Sequence, residues 1–155
     1  MIMKNIDKIN GKNINYNRMY VEFSSKSENE SFARIVAAAF VTRLDPTLEE
    51  IEEIKTAVSE AVTNAIIHGY GTDEGIIAME CVLKGREVTI KVKDKGVGIA
   101  DVEQAMQPLY TSKPEEERSG MGFSFMEIFM DSLEVDSAPD KGTTVLMKKN
   151  LRKPD

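Results

Sequence analysis

Residues 87–94, Glu-Val-Thr-Ile-Lys-Val-Lys-Asp, alternate with the two-residue period of a strand. Val88, Ile90 and Val92 fall on one face, and Glu87, Thr89, Lys91 and Lys93 fall on the other. Asp94 continues the apolar phase, so its carboxylate is directed to the same side as three branched hydrocarbons. An unpaired buried carboxylate is costly, and it needs a fixed donor. Gly96 and Gly98 follow at once, and glycine lets backbone approach a ligand closely. Taken alone, Asp-x-Gly-x-Gly also reads as a strand end with the Asp capping a tight turn.

The remaining elements build around this strand. A second strand, about Gly75–Leu83, precedes it as a hairpin through Lys84-Gly85-Arg86. Met19–Ser24 reads as a short strand, and two more fall near Leu133–Ser137 and Thr143–Lys149. Ser27-Glu28-Asn29-Glu30 has the capping-box form, and Phe32, Ile35, Val36, Ala39 and Phe40 then recur at helical spacing. Thr47-x-x-Glu50 offers a second box. It opens a helix with a stripe of Leu48, Ile51, Ile54, Val58, Ala61, Val62 and Ala65, which stops near His68-Gly69. Residues 101–106 form a short helix, and Met121–Met130 a third long one. Strands and helices in this order predict an α+β sandwich with a mainly antiparallel sheet.

Three boundaries follow. Residues 1–18 are Asn-rich, carry Lys4, Lys8, Lys12 and Arg18 against Asp7, and have no helix or strand period, so they read as a mobile extension. Residues 19–150 form the folded domain, and 151–155 a tail. The 155 residues carry a net charge of −6, a poor match to nucleic-acid phosphates, so no direct contact with DNA or RNA is expected. Cys81 is the only cysteine and His68 the only histidine, which excludes an intrachain disulfide or a cysteine-rich zinc site. Cys81 lies in an apolar strand pattern and reads as a buried structural thiol, and His68 as structural or capping. No apolar run reaches transmembrane length and no signal peptide is evident, so a cytoplasmic, membrane-free protein is expected.

Three further groups could carry chemistry. Glu60 and Asn64 stand four apart on one side of the second helix, roughly opposite its Val58–Val62–Ala65 stripe. A carboxylate beside a neutral amide oxygen suits a hard cation plus a proton acceptor, although a plain surface pair looks the same. Ser119-Gly120-Met121-Gly122 enters the third long helix, where free amides and the helix dipole favour an anion. Before it, Thr111, Ser112, Lys113 and Arg118 put two hydroxyls and two cations on one polar segment, which reads as a lid over phosphates. Gly142-Thr143-Thr144 opens the last strand, where a hydroxyl could share a ligand with Asp94.

The order Glu-x-x-x-Asn, Asp-x-Gly-x-Gly, Gly-x-Gly, Gly-Thr resembles the Bergerat ATP-binding fold of the GHKL superfamily. More narrowly, Asn29–Arg34, Leu44–Thr47, Ser59–Gly69 and Arg118–Phe123 resemble the anti-sigma F factor family of endospore-forming bacteria. The likeness covers about residues 19–150; only the N-terminal extension departs from it. It implies a Bergerat-type two-layer α/β sandwich, its sheet covered on one face by three helices. It also implies a homodimeric protein-serine kinase and anti-sigma factor that uses ATP and Mg²⁺. Such a protein holds a sporulation sigma factor and phosphorylates an anti-anti-sigma protein on serine. By resemblance, Glu60 is the general base, Asn64 binds Mg²⁺ and Asp94 accepts the adenine amino group. Gly96, Gly98, Thr111, Ser112, Lys113, Arg118, Ser119, Gly120, Met121, Gly122 and Thr143 surround the nucleotide, and Arg34, off the apolar stripe and expected to be exposed, contacts partners. Three rivals stay open: a histidine-kinase catalytic domain, an ATP-dependent anti-sigma binding module without kinase activity, and a stress-response anti-sigma kinase relative.

Overall fold

The computed structural model describes residues 15–107 and 122–154. Strands β1 (Tyr16–Ser24), β2 (Ile76–Lys84), β3 (Glu87–Asp94), β4 (Ser132–Ser137) and β5 (Thr143–Asn150) form one sheet of order β1-β2-β3-β5-β4. Every neighbouring pair is antiparallel. Helices are α1 (Asn29–Val41), α2 (Leu48–Asn64), the short α3 (Val102–Ala105) and α4 (Gly122–Phe129), with a 3-10 turn at Thr42–Leu44 and a π-helical turn at Ala65–Tyr70. Helix α2 packs between α1 and α4, and these three close one face of the sheet. Alternate strand residues fill that interface: Ile77, Met79, Cys81 and Leu83 from β2, Val88, Ile90 and Val92 from β3, Val145 and Met147 from β5. The expected α+β two-layer sandwich is the architecture observed. Burial pushes the Cys81 thiol up to about 12, consistent with an inert core residue.

Both ends of the chain differ from the sequence reading. Strand β1 begins at Tyr16, three residues early, because Tyr16–Arg18 pair with Val82–Lys84 and the Arg18 guanidinium meets Glu80 at 2.5 Å. The expected extension therefore ends before β1, and residues 1–14 lie outside the described residues. At the other end, residues 151 and 152 are not tail. Leu151 is buried, its N–H donates to Arg86 O (3.0 Å), and the Arg152 N–H donates to Glu50 Oε2 (3.0 Å).

The helices show which local rules prevailed. The Thr47/Glu50 box forms: Thr47 N–H donates to Glu50 Oε1 (2.9 Å) and Glu50 N–H to Thr47 Oγ1 (3.1 Å). The Ser27/Glu30 box does not. Glu28 caps α1 without a side-chain bond, Asn29 Nδ2 reaches back to Ser24 O (2.8 Å), and Glu30 instead faces Arg34 at 3.8 Å. Arg34, expected exposed, is therefore partly covered. The buried face of α1 is also rotated from the one expected: Ala33, Ala37 and Val41 are buried, whereas Phe32 and Ile35 are 46% and 61% exposed. On α2, Leu48 of the predicted stripe is 86% exposed, while Glu50 is buried. Helix α4 is fastened through Lys149, on the helix-facing side of β5. Its Nζ donates to Glu53 Oε2 of α2 (2.6 Å) and to Phe129 O (2.7 Å), the pairing that a buried ammonium requires.

Burial would push the Glu50 carboxyl up, but the N–H groups of Thr47 and Arg152 and the Thr47 hydroxyl outweigh it and leave it below the ordinary carboxylate range. A folded value that is lowered contributes stability above the unfolded value and loses it as pH falls through the folded one. Thr47→Ala should therefore cost about 0.5–2 kcal/mol in urea unfolding at neutral pH. The difference between wild type and Glu50→Gln should shrink on acidification; a difference independent of pH would refute the assignment.

Candidate functional site

Strand β3 delivers Asp94 to the end of the core, where it is 4% exposed. Its Oδ1 accepts the N–H of Gly96 at 2.9 Å, so the fixed donor demanded by burial is the first glycine of its own loop. Across the ladder it faces Thr143, the first residue of β5. Desolvation pushes the Asp94 carboxyl above its ordinary value, and the N–H groups of Gly96 and Thr143 pull it part of the way back. The outcome is a carboxylate held in a buried corner with less than full compensation.

Glycines make that corner possible. A Cβ on Gly69 would lie 2.8 Å from Asp94 Oδ1, so no side chain fits between the π-helical turn and the carboxylate. A Cβ on Gly96 would run into Gly69 O, the same oxygen that accepts the Val97 N–H at 2.9 Å. Gly98 and Gly142 have φ of 76° and 73°, a region that glycine enters without penalty. Side chains there would collide with Ala138 O and Asp94 O respectively. The β4–β5 turn thus packs directly on the Asp94–Gly98 loop, and the Asp140 N–H closes the contact on Val97 O at 2.7 Å.

Glu60 and Asn64 occupy the last turns of α2, both half-buried. Asn64 Nδ2 is buried with no hydrogen-bond partner among the described residues, and Ser59 Oγ is in the same condition. One end of a buried amide left open beside a carboxylate is what a ligand-facing residue looks like, and an amide flip offers its oxygen to a cation. Thr143 is tied into the site by Ser137, whose Oγ lies 2.7 Å from Thr143 Oγ1, accepts the Ile99 N–H (2.8 Å) and bonds Gly142 O (2.9 Å).

Of the residues singled out in the sequence, Asp94, Gly96, Gly98 and Thr143 come together at one end of the sheet, under the turn that continues α2 beyond Asn64. Gly122 begins α4. Thr111, Ser112, Lys113, Arg118, Ser119, Gly120 and Met121 lie outside the described residues. Arg34 sits on α1 with Glu30. Sequence reasoning missed Gly69, which it took for a helix stop, and Tyr70 and Ser137. The stop is Gly71, at φ 61°, two residues further on. A second glycine so close behind the first was the available signal.

The histidine kinase-like ATPase domain model matches residues 23–149. An anti-sigma F factor from Clostridium kluyveri is 63% identical over 133 residues, covering 86% of this chain and 94% of the relative. The chain belongs to the anti-sigma F factor family. An anti-sigma F factor from Geobacillus kaustophilus is 58% identical over 138 residues, covering 88% of this chain and 94% of its own. A solved structure of RsbU and RsbW domains from Mycobacterium tuberculosis superposes with a TM-score of 0.64 at 19% identity, over 89% of this chain and 33% of that one. That likeness is one of fold. Among the described residues no helix is long and apolar enough to cross a membrane.

For this anti-sigma family member, Asp94→Asn removes the charge and keeps the shape. A group whose folded pKa is raised contributes stability below its unfolded value and loses it as pH rises through the folded one. The thermal stability of Asp94→Asn relative to wild type, both free of nucleotide, should therefore improve as pH rises through the carboxylate range. On the adenine contact that the resemblance implies for Asp94, the variant should bind ATP and ADP roughly tenfold or more weakly at neutral pH, from loss of a charge-assisted bond of about 1.5–3 kcal/mol. Calorimetry showing unchanged affinity in a folded variant would sink the assignment.

Proposed function

We propose that this chain is an ATP-dependent anti-sigma factor and protein-serine kinase. In this reading it holds a sporulation sigma factor inactive and phosphorylates an anti-anti-sigma protein on serine. The observation that carries the reading is the buried Asp94 carboxylate at the end of the sheet, beside a helix that presents Glu60 and an open Asn64 amide. The 63% identity to an anti-sigma F factor supplies the partner class.

The residues fit a magnesium nucleotide. Asp94 would accept the adenine amino group, and Gly96 and Gly98, packed on Gly69 and Ala138, would set the loop backbone beside the base. Thr143 adds a hydroxyl. Asn64 would hold Mg²⁺ through its amide oxygen, and the cation supplies charge neutralisation on the phosphate oxygens. Thr111, Ser112, Lys113, Arg118 and Ser119–Gly122 would enclose the phosphates with hydroxyls, cations and helix-terminal amides. Glu60 would take the proton of the substrate serine, whose own oxygen would form the new bond to phosphorus as the bond to ADP breaks. Such transfer depends on positioning and charge stabilisation more than on covalent chemistry by the enzyme.

Arg34 is assigned to partner contact, since it lies on α1 next to the exposed Phe32 and Ile35. These apolar side chains, with β1 at the edge of the sheet, also support a homodimer. Control of transcription by protein contact in the cytoplasm suits a chain of net charge −6, which is ill matched to DNA.

Glu60→Gln separates the kinase from a pure binder, because it preserves shape while deleting the proton acceptor. Loss of a general base typically lowers rate by about 10²–10⁴. The variant should retain ATP and sigma-factor binding and fail to label the anti-anti-sigma protein with acid-stable phosphate. Wild-type transfer by the variant would remove Glu60 from the mechanism. No transfer by the unmodified protein, with sigma binding intact, would establish the binding-module reading.

A further inference from the structure

Helix α2 does not end at Asn64. It continues as a π-helical turn, Ala65–Tyr70, closed by the Gly71 N–H on Ile66 O at 2.9 Å. Such turns are uncommon and recur at functional sites. Here the turn brings Tyr70 to a position where its hydroxyl spans two separate segments. The hydroxyl donates to Ile76 O, at the start of β2, at 2.6 Å, and accepts the N–H of Lys95 at 2.8 Å. A phenol has one proton to give, so both bonds are compatible and their polarity is fixed. The ring lies so close to Gly75 that any side chain there would run into it. Lys95 follows Asp94 directly, and on the far side of Gly96 the same turn accepts the Val97 N–H through Gly69 O, at 2.9 Å. The Asp94–Gly98 loop is thus fastened to the end of α2 at two points flanking Gly96.

We infer that Tyr70 is a positioning residue for nucleotide binding, which sets the Asp94 loop relative to the helix bearing Glu60 and Asn64; the inference rests on the nucleotide reading above. Its action is separable from fold stability. Lys95 and Ile76 are both exposed, so water takes the place of the phenol at the Lys95 N–H and the Ile76 carbonyl when the hydroxyl is removed. What is lost is the place of the loop rather than its hydrogen bonding. Ser25 provides the matched contrast. Its Oγ accepts the Gly75 N–H at 2.9 Å in the same corner and makes no bond to the Asp94 loop.

The test uses full-length Tyr70→Phe and Ser25→Ala, with ATP and ADP titrated calorimetrically in the presence of Mg²⁺, well below the melting temperature. Hydrogen exchange without nucleotide runs in parallel. Tyr70→Phe should weaken ATP and ADP by the same factor, roughly two- to tenfold for one hydrogen bond's worth of positioning. The factor is shared because the loop meets the base end that both nucleotides have in common. Exchange at Lys95–Val97 should quicken in Tyr70→Phe and remain slow in Ser25→Ala, whose nucleotide affinity stays at the wild-type value. Unchanged affinity in folded Tyr70→Phe, or an equal loss in Ser25→Ala, overturns the inference while the nucleotide reading stands. A wild-type protein that binds neither nucleotide overturns both.

Discussion

The Asp94 carboxylate sits in the apolar phase of β3, and the surrounding backbone is arranged around the cost of keeping it there. Burial disfavours the charge, and only two backbone N–H groups offset it. Room for the carboxylate exists because Gly69 carries no side chain, and room for its loop exists because Gly96, Gly98 and Gly142 carry none either. The β4–β5 turn then seats on that loop through Asp140 and Val97. Three chain segments thus converge on the strand end that carries this charge. A fold selected for stability alone would put a hydrocarbon at this position, which is the physical reason to look for a ligand there.

What was legible in the sequence divides along physical lines. Strand β3 was located to the residue, since strict alternation between branched hydrocarbons and charges admits one register. Asp94 was recognisable for the same reason, as a violation of that alternation. The Thr47/Glu50 box was legible because its chemistry is local to four residues. The face of α1 was not. Its large residues Phe32 and Ile35 have helical spacing, but so do Ala33, Ala37 and Val41, and it is the small set that is buried. Small side chains allow α1 to approach α2 closely, a tertiary demand that no single helix reveals. The π-helical turn left one trace, the second glycine at position 71; why the stop moves from Gly69 to Gly71 shows only once Asp94 is in place beside Gly69.

Chain termini were misjudged for a related reason. Tyr16–Arg18 and Leu151–Arg152 have little pattern of their own and take their order from partners distant in sequence: Lys84–Val82 for the first, Arg86 and Glu50 for the second. Pattern reading sees amphipathicity and local caps. It is blind to a backbone N–H that completes the coordination of a carboxylate about a hundred residues away.

Helix α2 links these observations, because buried carboxylates of opposite character stand near its two ends. At its start, Glu50 is buried yet sits below the ordinary carboxylate range, since Thr47 and Arg152 supply more hydrogen bonding than desolvation removes. Ionisation there favours the fold. Beyond its end, Asp94 sits above that range with fewer donors, and ionisation opposes the fold. Burial is the same in kind at both places, so burial alone does not separate structural from functional acids. The balance of donors does. Where the chain supplies enough N–H groups, the carboxylate is part of the scaffold; where it stops short, as at Asp94, a carboxylate with spare acceptor capacity is the place to look for a ligand.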